Sequence, residues 1–352
     1  MSENLEEKEA ILGQIEIEEK AARLIDPPFP EIAEATLPEA YQGSPFLDKL
    51  KRQAEEGHRE VLVSDIDWTF YHQDLPSETD QLFQLLEKNG IPIAYCTGRG
   101  LEKVVSQDDL PLPDLAIPAV GTEIWVKDRE GELRSDQNYA DQLRKNWDRS
   151  KIYSQLVELV GSNQKIVFQD RDLPDQSDPD LPAQEFKISL NFQGTKEEAL
   201  ELEQEMKSTL GEEIGVIFST NWREENTFYV DILPTYHGKT GKAMPIQYLK
   251  DMIGFRSIVA GDGGNDADML FNTGSQSIVV GNHLPEMKGI LESLPDKDSN
   301  WRPKLTSHTS GGERNDVYIA DPSEIGPLAI KNALIRGDFN PYFAKKIIEN
   351  NQ

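Results

Sequence analysis

The sequence predicts an α/β protein in which a core domain, built on a parallel sheet, is interrupted by a smaller α+β domain. Over residues 61–125, short runs of β-branched and other apolar residues alternate with amphipathic helical stretches, the pattern of a parallel sheet with helical crossovers. From residue 126 to 232 the pattern changes to several strands with two helices, and the alternation resumes over residues 233–352. The chain of 352 residues is long enough for two domains.

Residues 1–60 precede this pattern as an N-terminal extension. Apolar residues at helical spacing predict a helix over residues 1–24, and five prolines between residues 27 and 45 predict an extended linker on a surface. A second, short helix is predicted over residues 46–56. The sequence leaves three roles open for this extension: a packing arm, an oligomer contact or a partly disordered leader.

The core begins with a strand over residues 61–64, whose uninterrupted apolar run suits a strand buried on both faces. A helix is predicted over residues 78–88 and ends at Asn89-Gly90, because glycine is favoured just after a helix. The remaining core elements are strands over residues 91–96, 115–120, 257–260 and 277–280 and helices over residues 325–335 and 343–350.

The insertion begins with a long amphipathic helix over residues 139–160. Residues 170–182 are rich in proline and aspartate, which predicts an exposed loop. A charged helix is predicted over residues 195–210. Strands are predicted over residues 165–169, 185–192, 215–220 and 227–233. A run of strands with two helices favours a sheet covered by helices on one side.

Composition argues against several classes of partner. The net charge of −27 makes nucleic acids and anionic membrane surfaces poor partners. No apolar stretch approaches the roughly 18 residues that cross a bilayer, and the first residues lack the basic and apolar regions of a signal peptide. The single cysteine, Cys96, excludes a disulfide within the chain. We therefore expect a cytoplasmic protein, of undetermined oligomeric state, that acts on a small molecule.

The first core strand ends in two acidic residues, Asp65 and Asp67. Residues two apart on an extended chain point to the same side, and the loops after parallel strands are where open α/β sheets bind ligands. Converging carboxylates repel each other unless a cation or a shared proton relieves the repulsion. Mg²⁺ prefers such oxygen ligands. Thr69 belongs either to this site or to the N-cap of a helix.

Three further loops carry side chains suited to phosphate chemistry. Thr97 and Arg99 follow the second strand, a lysine-bearing turn lies near residue 239, and Asp262 and Asp266 follow a later strand. Loops after parallel strands lie at one edge of the sheet. Together the four loops predict a pocket with a nucleophile, a hydroxyl, a cation and metal ligands, the groups that phosphoryl transfer requires.

These four segments resemble, in order, the motifs of the haloacid dehalogenase superfamily of phosphatases. They are Asp65-x-Asp67-x-Thr69, Thr97 after a strand, Lys239, and the segment GDGGND at residues 261–266. The insertion between the second and third motifs resembles the C2-type cap of that superfamily. The resemblance implies a Rossmann-like core over residues 61–125 and 233–352 and a cap over residues 126–232.

The chain is most similar to the sucrose-phosphate phosphatase family, over roughly residues 60–290. The segments that carry this similarity are VLVSD (61–65), AYCTGR (94–99), AVGTEI (119–124), FKIS (186–189), VIFS (216–219) and VDILP (230–234). Trp68 departs from the family, in which glycine or another small or polar residue is common there.

The resemblance implies a role for each motif. Asp65 is expected to be the nucleophile that forms an aspartyl-phosphate, and Asp67 the general acid and base. Thr97 is expected to bind the phosphoryl oxygens, and a lysine to neutralise the phosphate and hold Asp65. Mg²⁺ is expected on Asp65, Asp67 and Asp262, with Asp266 in a supporting role.

Two lysines are candidates for the third motif. The family spacing from Pro234 and from Asp262 favours Lys239. The apolar residues four and seven positions after Lys242 also suit the helix that follows this lysine in the family. The sequence favours Lys239 and leaves Lys242 open.

Several other polar residues are candidates for contacts to the phosphate or the sugar. They are Thr69, Gly98, Arg99 and Asn265 in the core and Glu123, Lys187 and Asn221 in the cap.

The resemblance implies a Mg²⁺-dependent phosphatase of a phosphorylated disaccharide, such as sucrose 6-phosphate, or of another glycosyl-phosphate. Two alternatives remain open at this point. One is a regulatory protein that binds a sugar phosphate without turnover, and the other is a phosphotransferase that moves the phosphoryl group to a second sugar.

Overall fold

The computed structural model describes residues 29, 31–169, 172, 184–221, 224–293, 304–310, 313–336 and 339–349. The helix predicted over residues 1–24 and, apart from residue 172, the loop predicted over residues 170–182 lie outside these ranges. Within the described part of the chain, no helix is both long and apolar enough to cross a membrane.

The described residues form two sheets. The strands, in chain order, are β1 (Glu60–Ser64), β2 (Ile93–Cys96), β3 (Leu115–Ile117), β4 (Trp125–Lys127), β5 (Leu133–Ser135), β6 (Ile166–Phe168), β7 (Ile188–Gln193), β8 (Ile214–Thr220), β9 (Thr227–Pro234), β10 (Arg256–Gly261), β11 (Gln276–Val279), β12 (Lys304–Ser310) and β13 (Glu313–Ile319).

Helices cover both sheets. In chain order they are α1 (Pro45–Glu55), α2 (Pro76–Lys88), α3 (Leu101–Val105), α4 (Gln137–Arg144), α5 (Arg149–Ser162), α6 (Lys196–Leu210), α7 (Ala243–Ile253), α8 (Ala267–Phe271), α9 (Pro285–Ser293), α10 (Pro327–Leu334) and α11 (Pro341–Glu349).

The larger sheet has the strand order β12-β13-β11-β10-β1-β2-β3-β4-β5. The strands from β13 to β3 pair in parallel, and β1 lies at the centre, where Val63 pairs with Val259 on one side and Ala94 on the other. Every residue of β1 is buried, which explains the apolar run of residues 61–63 at its centre. This confirms the predicted α/β fold with a mostly parallel central sheet.

The smaller sheet is antiparallel, with the order β6-β7-β9-β8. One of its faces packs against α5 and α6, and Leu190 and Val230 of the sheet share a buried cluster with Leu202 and Met206 of α6. The strands alternate in side-chain direction, so the polar residues between these apolar ones point to the opposite face. The second face of the smaller sheet can therefore pack against the core domain.

The chain leaves the larger sheet after β5 and returns to it after β9. The boundary predicted between residues 125 and 126 falls inside β4, which pairs with β3 of the larger sheet. We propose that the cap begins after Ser135 and ends near Pro234, since all four strands of the smaller sheet lie between these residues.

Two predicted elements differ from the structure. The single helix predicted over residues 139–160 is two helices, because Asp148 caps a new helix by accepting a hydrogen bond from the backbone of Lys151 at 3.0 Å. The hairpin of β12 and β13 occupies part of the tail for which no strand was predicted.

The extension predicted as a surface linker contributes to the core. Residues 37–55, here called the N-terminal arm, bury Tyr41, Phe46, Leu47 and Leu50 completely. The ammonium of Lys49 lies 2.8 Å from Asp114 Oδ2, with 6% and 1% of the two side chains exposed, and also contacts Glu87. The described part of the extension is therefore a packing arm.

We expect Lys49→Met to destabilise the protein by about 3 kcal/mol, because it leaves the buried carboxylate of Asp114 without its cation. Lys51→Met is the matched control. The ion pair between Lys51 and Glu34 is more than a third exposed on both sides, so its loss should cost less than about 1 kcal/mol. Urea unfolding of both variants measures the difference, and equal losses would contradict the structural role of Lys49.

Glu60, at the start of β1, is a second buried charge. Burial raises its pKa to about 7, although Arg256 and a hydrogen bond from Asn340 oppose the shift. A carboxyl group whose pKa is higher in the folded state than in the unfolded state loses its stabilising contribution as the pH rises through that range.

We therefore expect Glu60→Gln to be more stable than the wild type at pH 8, by about 2 kcal/mol, and to lose this advantage near pH 4.5. Urea unfolding at the two pH values measures the change. Glu158→Gln, at an exposed position on α5, is the control that should change little at either pH. A pH-independent difference for Glu60→Gln would show that its charge is not responsible.

Candidate active site

Three of the predicted site residues follow neighbouring parallel strands. Asp65, Thr97 and Asp262 come directly after β1, β2 and β10, and each is less than 10% exposed. The backbone N–H of Asp65 donates to the carbonyl of Ala260 and that of Thr97 to the carbonyl of Ile117, each at 2.9 Å. The ladder thus fixes these residues at one edge of the sheet.

Three buried carboxylates form an acidic cluster there, consisting of Asp65, Asp262 and Asp266. One oxygen of each lies within 4.8 Å of the others. Burial raises the pKa of Asp65, Lys242 opposes this shift, and the neighbouring carboxylates reinforce it. Burial and the charges of Asp65 and Asp266 also raise the pKa of Asp262. Buried oxygen ligands with mutually repelling charges fit a hard divalent cation such as Mg²⁺.

Lys242 lies inside this cluster. Its Nζ is 2.6 Å from Asp65 Oδ1 and 2.6 Å from Asp266 Oδ1, and the side chain is 1% exposed. Burial alone would lower the pKa of Lys242, but the two carboxylates raise it, so the ammonium stays charged. The lysine neutralises part of the charge of the cluster and holds Asp65 in place.

Lys239, the lysine that the spacing favoured, lies elsewhere. Its ammonium contacts the carbonyl of Asn272, at the end of α8. Tyr236 and Lys239 close a tight turn through Gly238, and a second glycine turn at Gly241 precedes Lys242. These two turns direct the later lysine to Asp65, so the geometry favours Lys242 over Lys239.

Asp266 shapes the loop that carries Asp262. Its Oδ2 accepts hydrogen bonds from the backbone of Asp262 at 3.1 Å and of Gly263 at 3.0 Å. A Cβ at Gly261 would lie 2.6 Å from the Cβ of Asp266, so only glycine allows this approach. Asp266 therefore supports both the loop and Lys242.

The side chain of Asp67 points away from the acidic cluster. It is 47% exposed and forms a two-pronged ion pair with Arg99, in which Nε lies 2.8 Å from Oδ2. Arg99 is itself held by Gln107. Among the described residues, the carboxylate of Asp67 is not part of the group that could share one metal ion. The site thus separates one buried acidic cluster from one accessible carboxyl group.

The backbone at Trp68 adopts a conformation that favours glycine. Its φ of 61° lies in the left-handed region. Asn282 fixes this turn, because it donates to the carbonyl of Trp68 at 2.8 Å and accepts from the backbone of Gly326 at 2.8 Å. Thr69, fully buried, donates to Asp262 at 3.4 Å. The indole of Trp68 packs edge-on against the imidazole of His72, with the ring centroids 4.8 Å apart.

A second left-handed turn holds the loop of Thr97. Ala119, Val120 and Gly121 have φ values of 53°, 60° and 86°, and we call them the 119–121 turn. The backbone of Val120 donates to the carbonyl of Thr97 at 2.9 Å, and that of Ala119 donates to Arg99 at 2.7 Å. A Cβ at Gly121 would lie 2.5 Å from the carbonyl oxygen of Gly241. The turn therefore joins the threonine loop to the backbone beside Lys242.

The second face of the cap sheet is directed towards this edge. Ile217 of β8 packs so closely on Gly241 that a Cβ there would lie 2.3 Å from its Cδ1. Ile217 pairs with Asp231 of β9, which pairs in turn with Ser189 of β7. A row across this face thus begins beside the site lysine and continues into polar side chains.

Sequence reasoning found Lys187 but missed its partner Asp231 and the residue that bonds to this aspartate, Ser189. Asp231 lies 3.0 Å from the ammonium of Lys187 and accepts a hydrogen bond from Ser189 at 2.8 Å. All three are buried. The available signal was a polar residue at every second position of two adjacent predicted strands, which marks one face.

The other predicted contact residues lie at four separate places. Glu123 accepts a hydrogen bond from the indole of Trp125 at 2.8 Å. Asn221 lies beyond the end of β8, where its backbone donates to Thr227. Asn265 lines a cleft of about 640 Å³ between β8 and the loop of the acidic cluster. Gly98 lies beside Val120 of the 119–121 turn.

Comparisons with known proteins agree with this arrangement. The sequence pattern of the sucrose-6F-phosphate phosphohydrolase family matches residues 58–304. A probable sucrose-phosphatase 3a of Arabidopsis thaliana is 26% identical over 246 residues, which are 65% of this chain and 52% of that protein. A putative HAD-like hydrolase of Nitrosococcus oceani is 25% identical over 251 residues, 68% of this chain and 64% of that protein. The chain thus spans between half and two thirds of these relatives.

A solved structure is similar over nearly its entire length. The sucrose-phosphatase of Synechocystis sp. PCC6803, in complex with sucrose and phosphate, covers 80% of this chain and 99% of its own, with a TM-score of 0.57 and 25% identity. The fold, the ordered motifs and the family match over residues 58–304 lead to one assignment. This chain belongs to the sucrose-6F-phosphate phosphohydrolase family of haloacid dehalogenase hydrolases.

Proposed function

We propose that the protein is a Mg²⁺-dependent phosphatase that hydrolyses sucrose 6-phosphate or a closely related glycosyl-phosphate. The observation that carries this proposal is the acidic cluster with Lys242 buried inside it. Asp67, two residues after Asp65, supplies a separate carboxyl group for proton transfer. The polar face of the cap lies above this edge of the core.

Asp65 is proposed as the nucleophile. A carboxylate oxygen of Asp65 attacks the phosphorus atom, the bond from phosphorus to the sugar oxygen breaks, and Asp67 donates a proton to that oxygen. In the second half of the reaction, Asp67 removes a proton from a water molecule that attacks the aspartyl-phosphate. This releases phosphate and restores both carboxyl groups, so protons and bonds balance over the cycle.

The remaining core residues bind and orient the phosphate. Lys242 holds Asp65 and offers its positive charge to the phosphoryl oxygens, and the hydroxyl of Thr97 lies at the same edge. Asp65 and Asp262 would hold Mg²⁺, which when bound offsets the repulsion between the carboxylates and the phosphate. Asp67 is proposed as a further ligand through its backbone carbonyl, since its carboxylate pairs with Arg99.

Asp67 must leave Arg99 to reach the sugar oxygen. Half of the Asp67 side chain is accessible, and the guanidinium is anchored independently by Gln107. An incoming phosphate can also attract Arg99. Arg99 thereby holds the side chain of Asp67 in place until the substrate enters.

The cap residues are proposed to bind the sugar. Lys187, Ser189 and Asp231 offer donors and acceptors on one face, as sugar hydroxyls require. Glu123, Asn221 and Asn265 are proposed as further contacts at the rim. We also propose a cytoplasmic location, for which the single, buried, reduced Cys96 is the support.

We expect the wild type to release phosphate from sucrose 6-phosphate in a panel of sugar phosphates, and Asp65→Asn to lose at least about 10⁴-fold in kcat. EDTA should abolish the release and Mg²⁺ should restore it. Mg²⁺ should also raise the melting temperature of the wild type but not that of Asp262→Asn. Binding of sucrose 6-phosphate without phosphate release by the wild type would favour a regulatory protein, and transfer to an added acceptor sugar a phosphotransferase.

The two lysines provide a second test. Lys242→Met should lower kcat about 100-fold or more, because the phosphate and Asp65 lose their nearest cation. Lys239→Met, which removes the donor to the Asn272 carbonyl, should change kcat by less than about threefold. Steady-state kinetics with sucrose 6-phosphate compares the two. The reverse order would restore Lys239 as the lysine of the site.

A further inference from the structure

The N-terminal arm lies outside residues 58–304, which match the family, yet it reaches the connection between core and cap. Tyr41 is fully buried, and its hydroxyl donates to Asp136 Oδ2 at 2.9 Å. Asp136 directly follows β5, at the point where the chain leaves the larger sheet. The arm is thus bonded to the first residue of the cap connection.

Asp136 interacts with three parts of the chain. Its Oδ1 accepts a hydrogen bond from the backbone of Tyr139 at 3.0 Å, which caps α4. Tyr248, on α7, also interacts with this carboxylate, and burial and the carboxylate both raise the pKa of the Tyr248 hydroxyl. Only 1% of Asp136 is exposed, so water cannot replace a lost donor. The cluster joins the arm, the cap entry and the helix that begins directly after Lys242.

The same cluster reaches the return connection of the cap. The ring of Tyr248 lies 4.9 Å from that of Tyr139 and 5.8 Å from that of Tyr236, which follows β9. Both covalent links between core and cap therefore meet at these tyrosines. A change at Tyr41 acts where the orientation of the cap is set.

Tyr139 connects the cluster to the active site. Its hydroxyl donates to the carbonyl of Gly121 at 2.7 Å, within the 119–121 turn. Left-handed conformations of residues with side chains are strained and persist only where surrounding contacts fix them. This turn holds the backbone of Thr97 and packs against Lys242. Loosening it displaces both groups that bind the phosphate.

We infer that Tyr41 is a positioning residue for catalysis: through Asp136 and Tyr139 it holds the 119–121 turn, and with it Thr97 and Lys242, in the reactive arrangement. Within the arm, this role falls to Tyr41, which bonds to Asp136 at the start of the cap connection, whereas Lys49 only anchors the arm to the core. The kinetic part of the inference rests on the proposed phosphatase activity, whereas its structural part does not.

Tyr41→Phe removes one hydroxyl and leaves the ring in place. We expect kcat for sucrose 6-phosphate to fall about tenfold with KM changed less than about twofold, because displaced phosphate-binding groups slow the chemical step while the sugar contacts stay. Lys49→Met is the control, since it weakens the same arm where it contacts Asp114, at the opposite end of β3 from Thr97. Its kcat should equal that of the wild type well below its unfolding midpoint.

Amide hydrogen exchange supplies a readout that needs no activity. Residues 119–124 should exchange about tenfold faster in Tyr41→Phe than in the wild type, and at the wild-type rate in Lys49→Met. Unchanged exchange in Tyr41→Phe, or an equal increase in both variants, would overturn the inference. If the wild type proves inactive, the proposed function fails and the exchange result alone decides. If Tyr41→Phe does not fold, Tyr139→Phe takes its place with the same expectations.

Discussion

The buried ammonium of Lys242, placed between Asp65 and Asp266, is the interaction on which the site depends. The three carboxylates of the acidic cluster and one ammonium leave two negative charges in a buried volume. Lys242 alone therefore offsets only part of this charge, and a bound divalent cation would offset the rest. The parallel order of β2, β1 and β10, together with the turn that places Lys242 before α7, brings these groups to one edge.

Backbone strain is concentrated around the same edge. Trp68, Ala119 and Val120 all have positive φ, which residues with side chains adopt at a cost of about 1–2 kcal/mol each. Each strained position is fixed by hydrogen bonds, from Asn282 to Trp68 and from the 119–121 turn to the threonine loop. We infer that the strained turns hold the motif residues in position. The hydrogen bonds that fix the 119–121 turn extend through Tyr139 and Asp136 to the N-terminal arm.

Sequence reasoning succeeded where local pattern and burial coincide. β1 is buried on both faces and carries the apolar run of residues 61–63, so the end of the strand and Asp65 after it could be placed at once. The sequence could not decide between Lys239 and Lys242. Two glycine turns within four residues change the direction of the chain, and the number of residues between motifs does not show in which direction each lysine points. Ser189 and Asp231 were missed since their meaning depends on which face of the cap is turned to the core. Tyr41 falls in a segment that its prolines identify as a linker, and its partner, 95 residues away, has no signal in the local pattern.

The division of charge between the two domains argues for the kind of substrate. On the core side, the ammonium of Lys242 and a cation on the acidic cluster suit a dianionic phosphate, despite a chain that carries a net charge of −27. On the cap side, Lys187 and Asp231 neutralise each other, and Ser189 is uncharged. A charge-balanced polar face favours neutral hydroxyl groups over a second anion, because a net charge there would prefer a counter-ion. A sugar with one phosphate and many free hydroxyls satisfies both sides, whereas a bisphosphate or a nucleotide satisfies only the core.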